Sequence, residues 1–336
     1  MSETAKRFSF ASPSLTRAEV SSIVPPVRTS NRFAIAASAL LVYTVAVVLW
    51  GAYVRATLSG DGCGDHWPLC NGVVIPVDPS LKTIVELTHR VTSGLCWIWA
   101  FVMWVAARRT FAPGHATRSA AGWSIFFMTT EALVGAGLVL FRMVADNPST
   151  ARGAWMAAHL INTFLLLSAL TWMAYGARRE EGLRFPSDRR SRGVLGVAAS
   201  LLLLVGVSGA IAALGDTLFP ASNLTVGLLE DFSPTAHIFL RLRLWHPVIA
   251  VFGSGYLIWL AADFLRRRPE PPVPKLAVAL GVLVLIQIAV GLLNVALLAP
   301  VWMQLVHLLI ADATWVTLTL LALSSPPSSS GANLFT

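Results

Sequence analysis

Four histidines fall inside long apolar stretches of this sequence, and their type and spacing suggest chemistry. His89, His159, His246 and His307 each lie about five or six residues from the start of such a stretch. At ~1.5 Å of rise per residue, that puts all four at one depth, roughly 8 to 9 Å from the end of a helix. A single imidazole in an apolar helix is commonly satisfied by a hydrogen bond to a neighbouring helix, but four at matching depth form a pattern. Pairs of imidazoles on facing helices, with no cysteine and few carboxylates to complete a zinc or di-iron shell, suit the two axial positions of a haem. His66, His115 and His237 lie in loops or at a span edge and carry no such signal.

Charged residues stand beside these histidines. Glu86 precedes His89 by three residues and shares its helical face, whereas the position three before His246 holds Arg243. One half thus presents an acid or base beside its haem-sized site, and the other only a cation. Glu86 at the edge of a bilayer suits proton transfer. The alternative is a plain salt bridge to Arg90 at i+4; as an exposed pair it contributes about 0.3 to 0.5 kcal/mol, so Glu86→Gln should still insert normally. Arg55, Arg90, Arg152, Arg241 and Arg243 lie near the same depth as the histidines, as contacts for haem propionates or as interfacial anchors. Glu131 and Asp312 are intramembrane acids whose expected role is structural hydrogen bonding.

The elements that must position these residues are membrane helices. Of the 336 residues, 55% are hydrophobic and only 12% charged, with a mean hydropathy of +0.68, against about 25% charged in an ordinary soluble domain. Eight apolar runs of about 20 residues predict spans over 33–55, 83–105, 119–141, 153–175, 193–214, 240–262, 275–298 and 302–324. The fold class is therefore all-α and polytopic. A net charge of +8 would suit nucleic acid, but most of the Lys and Arg cluster in alternate segments. These are Lys6, Arg7, Arg17, Arg28 and Arg32 at the N-terminus, Arg108, Arg109 and Arg118 after the second span, Arg178 to Arg192 after the fourth and Arg266 to Lys275 after the sixth. The positive-inside rule then places both termini in the cytoplasm and makes membrane lipid, with no nucleic acid, the partner of that charge. Residues 1–32 lack the apolar core of a signal peptide, and both they and the Ser/Pro tail over 325–336 read as disordered.

On this topology Cys63 and Cys70, within GDGCGDHWPLCNG, face an oxidising compartment. A six-residue spacer with Gly64 and Asp65, preceded by Gly62, can bend enough to bring the two sulfurs together as a disulfide. The other reading is a pair of free thiols binding metal with His66, for which the loop offers no obvious closed ligand set beyond a carboxylate. Cys96, inside the second span, reads as a small core residue.

The spans also repeat. Ala132-Leu133-Val134-Gly135 matches Ile288-Ala289-Val290-Gly291, aligning Glu131 with Gln287; Gly51-Ala52 matches Gly209-Ala210, and Ser59-Gly60-Asp61 matches Gly215-Asp216. The chain reads as two tandem pseudo-symmetric four-helix bundles, 33–176 and 193–324, joined by a cytoplasmic linker over 177–192. Four spans return each half to the same side, so both halves share one orientation, unlike the inverted repeats of many transporters.

Taken together, Arg55-Ala-Thr-Leu-Ser-Gly60, the Cys63–Cys70 loop ending in Trp67-Pro-Leu-Cys-Asn-Gly72, Glu86-Leu-Thr-His89-Arg90, and the later His159, His246 and His307 resemble the heme A synthases over about residues 33–324. The resemblance implies a bacterial cytoplasmic-membrane enzyme that oxidises the C8 methyl of haem o to the formyl group of haem A for aa3-type cytochrome oxidase. It implies a resident haem b on His246 and His307, haem o on His89 and His159, and Glu86 as the catalytic residue. A haem o synthase and oxidase assembly factors are the expected partners. There are two departures: residues 215–239 lack the second cysteine pair of some bacterial members, and Trp245-His246-Pro247 stands where the first half has His89-Arg90. Two rival readings stand beside it: a two-haem transmembrane b-type cytochrome exchanging electrons with quinone, which leaves Glu86 and the cysteine loop without a role, and a haem carrier or transporter, which does not explain two axial ligands per half.

Overall fold

The computed structural model describes residues 30–179 and 188–324. The readings made for residues 1–29, for Arg184 and for the tail beyond 324 lie outside the described residues. Within them the chain is almost entirely helical, with eight helices or helix pairs long and apolar enough to cross a membrane. The N-terminal half comprises α1 (Asn31–Ala56), α2 (Leu81–Thr110), α3 (Ala116–Leu140) and α4 (Thr150–Gly176). The C-terminal half comprises α5 (Arg189–Leu218), two short helices α6 (Leu224–Asp231) and α7 (Ile238–Arg243), then α8 (Trp245–Arg267), α9 (Val273–Ala296) and α10 (Val301–Leu323).

Helix starts follow local chemistry. The side chains of Ser30, Ser80, Ser149 and Asp188 accept from backbone N–H groups in the first turns of α1, α2, α4 and α5, satisfying donors that have no intrahelical partner. Several helices outrun the apolar stretches that announce them. α2 continues to Thr110, with Arg108 folded 4.2 Å over the ring of Trp104, because hydropathy marks only the lipid-facing length of a helix. The sixth span differs from a plain helix in another way. It begins at Ile238 and breaks at Leu244 between α7 and α8, since Pro247 has no N–H to give the carbonyl of Arg243 and its ring crowds that turn.

In each half the four spans close a ring. α1 packs on α2 and α4, and α3 lies between α2 and α4; α5 packs on α8 and α10, and α9 lies between α8 and α10. The halves meet where α4 contacts α5 and α10, and where α1 contacts α10. Close approach there relies on small residues: a Cβ on Gly206 would lie 3.0 Å from Leu160 and 3.1 Å from Phe164. Trp315 of α10 stacks on Phe164 of α4 with ring centroids 4.8 Å apart, and its Nε1 donates to the Phe164 carbonyl and to Ser168 Oγ. Large apolar side chains such as Leu133, Val251, Phe252 and Leu292 point outward, as lipid-facing positions require.

Candidate functional site

Each of the four histidines lies within about the first three turns of its span, at the end away from the clustered arginines. His246 and His307 face each other with ring centroids 6.4 Å apart and planes at 87°. Two imidazoles that share one metal ion at about 2 Å from each nitrogen place their ring centres roughly 6 Å apart, so the pair fits the axial positions of a haem. His89 and His159 lie at the corresponding end of α2 and α4.

Glycines make room for the rings. A Cβ on Gly51 would lie 2.9 Å from His89 Cε1, one on Gly209 3.0 Å from His246 Cε1, and one on Gly291 3.1 Å from His307 Cε1. Gly51 and Gly209 are the repeat partners of the sequence, so the repeat conserves a contact as well as a helix.

The groups behind the rings differ. Ser208 Oγ lies 3.0 Å from His246 Nδ1, and the Gln287 amide nitrogen 3.2 Å from His307 Nε2. In the N-terminal half Glu131 Oε1 stands 3.4 Å from His159 Nδ1. The Nδ1 atoms of His89 and His307 are buried without a hydrogen-bond partner among the described residues, and that of His159 has the Glu131 carboxylate nearby without an aligned hydrogen bond to it, as expected of rings poised for a ligand or a further polar group.

Glu86 is more deeply engaged than the sequence suggests. It is buried; its Oε2 accepts from the Cys63 backbone N–H at 2.8 Å, and its Oε1 accepts from Arg90 Nε at 3.1 Å and from Arg90 Nη2. The expectation of an exposed pair worth a few tenths of a kcal/mol is therefore corrected: the side chains of Arg90 and Glu86 are only 11% and 4% exposed, because the first outer loop folds over them. Arg90 Nη1 also donates to the carbonyls of His66 and Leu69, each at 2.6 Å.

That loop is closed by the Cys63–Cys70 disulfide, so the free-thiol alternative does not hold. Gly62 lies so close to the start of α2 that a Cβ would approach Lys82 to 2.4 Å, and Thr83 Oγ1 donates to its carbonyl. At the rim Arg142 pairs with Asp65 at 2.5 Å, and this hydrogen bond holds the Asp65 carboxyl below the usual aspartate range.

Arg243 is not a lone cation, which corrects the reading of the second half. Its guanidinium donates to Asp231 at 2.9 Å and to Asp216 at 2.8 Å. Asp216 was visible as part of the repeat; Asp231 was not, since only the fold of α6 brings it there. Arg55 has protein partners as well. It crosses between the halves, with Nη1 donating to the Ala213 carbonyl and Thr217 Oγ1, and Nη2 donating to Gln304 Oε1. Arg152 donates to the carbonyls of Ala145 and Asn147. Arg241 is exposed.

The other singled-out residues take structural places. His115 and His237 cap α3 and α7 through Nδ1, Cys96 is free and buried, and His66 is exposed beside Asp65. Asp312 departs from the structural hydrogen bonding expected of it: it is buried, with both carboxylate oxygens unpartnered among the described residues, because the side chains around it on α10 and its neighbours offer it no donor.

Eight helices long and apolar enough to cross a membrane, in two tandem rings with two histidines per ring near the same end of their spans, define a polytopic helical membrane protein. Residues 34–319 match the family model COX15-CtaA, described as cytochrome oxidase assembly protein, and the chain belongs to that family. It is 45% identical over 299 residues to a Thermus thermophilus protein named protoheme IX farnesyltransferase, the match covering 88% of this chain and 48% of that protein. It is also 40% identical over 97 residues to a heme A synthase of Halalkalibacterium halodurans, covering 29% of this chain and 33% of that one. A heme A synthase of Bacillus mycoides matches at 40% over 95 residues, 28% of this chain and 30% of that protein. The chain thus spans about half the length of the Thermus relative.

Proposed function

We propose that the protein is a heme A synthase, an oxidoreductase that converts the C8 methyl of haem o to a formyl group. The observation that carries the reading is the His246–His307 pair, spaced at 6.4 Å for one iron between them, in a chain whose family serves cytochrome oxidase assembly. His246 and His307 hold a resident haem b, and His89 and His159 hold haem o. The N-terminal ring over 33–176 is then the substrate half, and the ring over 193–324 the cofactor half.

Turning a methyl into an aldehyde removes four electrons from carbon and adds one oxygen, so that CH3 plus water balances CHO plus four protons and four electrons. Haem b, when bound, would pass these electrons one at a time to an external one-electron acceptor that closes the balance. Within the chain, Glu86 handles the protons, with Arg90 and the Cys63 N–H fixing the orientation of its carboxylate. The disulfide loop caps the N-terminal half and keeps bulk water from it.

The matched stretch is 48% of the longer Thermus protein, whose name is that of a farnesyl transferase. A farnesyl-transferring haem o synthase is accordingly the partner that supplies substrate, and oxidase assembly factors receive the product. The protein lies in the bacterial cytoplasmic membrane with both termini in the cytoplasm, the histidines near the opposite face.

Purification from cells that also make haem o, followed by pigment extraction, tests this. Haem A alongside haem b is expected. Haem b alone would instead favour a two-haem cytochrome.

A further inference from the structure

The halves differ at the second histidine of each pair. On α9 the neutral amide of Gln287 lies 3.2 Å from His307 Nε2. At the repeat-equivalent place on α3 stands Glu131, whose Oε1 lies 3.4 Å from His159 Nδ1. This carboxylate sits in a cradle. Asn162 Nδ2 donates to Oε2 at 2.5 Å, Thr163 Oγ1 donates to Oε1, and Thr130 Oγ1 donates to Asn162 Oδ1 at 2.6 Å, orienting the amide. Asn162 and Thr163 follow His159 by three and four residues on the same helical face. The residues at the same spacing after His307 are Ile310 and Ala311, which offer no side-chain donor. The cradle therefore belongs to one half only, and repeat symmetry alone does not account for it.

A carboxylate set behind the non-ligating nitrogen of a histidine fixes the ring's orientation and makes it a stronger donor to a metal; Gln287 instead meets His307 at Nε2, and His307 Nδ1 has no hydrogen-bond partner among the described residues. We infer that Glu131 is a positioning residue: its cradled carboxylate, 3.4 Å from His159 Nδ1, orients that ring when it binds iron and holds an iron in the N-terminal half at a lower reduction potential than the iron on His246 and His307. The inference rests on the haem reading above and adds to it an electronic difference between two otherwise similar sites.

Full-length protein loaded with protohaem in both sites, titrated electrochemically while its visible spectrum is followed, tests this. Wild type should show two steps. In Glu131→Gln the lower step should move upward and the upper one stay in place, while Glu131→Asp, which keeps the charge, should stay near the wild-type value. Two bound haems whose potentials both stay in place in Glu131→Gln would overturn the inference. Loss of the N-terminal haem in both variants would also overturn it, since Glu131 would then serve folding alone. A wild-type protein that takes up no haem through His89 and His159 overturns the haem reading itself, and this is visible before any variant is made.

Discussion

The outer caps of the two halves are fastened from opposite charges at one repeat position. Three residues before His89 the span offers Glu86, which accepts the Cys63 backbone N–H, and one turn later Arg90 grips two carbonyls of the same loop. Three residues before His246 the span offers Arg243, which grips carboxylates on α5 and on α6. The first cap is a disulfide-closed loop, and the second is a short helix held by an ion triad. The histidines and the glycines that seat His89 and His246 are kept between the halves, while the polar groups around them are changed. A duplicated scaffold can in this way hold two similar planar ligands and treat them differently.

The largest expected effect separates the two histidine pairs. His246→Ala or His307→Ala should abolish the low-spin b-type absorbance of the purified protein. The corresponding changes at His89 and His159 should leave that absorbance in place and remove only the substrate pigment. An unchanged b-type spectrum in both C-terminal variants would refute the assignment.

The fastenings come next. Arg243→Met leaves Asp231 and Asp216 without their cation, and breaking a largely buried pair from one side costs about 3–5 kcal/mol. Cys63→Ser opens a short loop, for which chain entropy suggests about 2–3 kcal/mol. Thermal unfolding in detergent, followed by helix signal and haem absorbance together, should show Arg243→Met lowering retention of haem b. Cys63→Ser should spare it. Equal loss of haem b in both variants would mean that the caps are not independent.

The smallest effect is a pH dependence at the first cap. The Asp65 pKa is depressed by the hydrogen bond from Arg142, so the stability this pair lends is complete above the ordinary aspartate value of about 4. It is lost only as the pH falls through the lower folded value. Hydrogen exchange of the 62–72 backbone should be flat with respect to this pair from neutral pH to about 5 and rise below about 4. Arg142→Gln should remove that acid-dependent rise.

Much of this arrangement was legible in the sequence because it is periodic or local. Span number, the matched depths of His89, His159, His246 and His307, the Gly51 and Gly209 correspondence and the proximity of Cys63 to Cys70 all follow from spacing along one chain. The contacts that were missed depend on convergence. Arg55 meets a carbonyl and a hydroxyl of α5 and a side chain of α10, which no periodicity reports. Asp231 reaches Arg243 only because α6 folds back, and Glu86 is buried only because the cysteine loop lies over it. Gln287 was aligned with Glu131 in the sequence, yet its place beside His307 required the packing of α9 on α10.

The pigment content of Glu86→Gln, extracted from purified protein made alongside haem o, tests the central claim most directly. The glutamine keeps an acceptor for the Cys63 N–H but cannot take up or release a proton in this role, and the haem b spectrum of the C-terminal half reports whether the bundle has folded. The account predicts haem b retained, haem A lost, and haem o or a partly oxidised form in its place. Near-normal haem A from this variant would contradict it and leave Glu86 as a fastening for the loop alone.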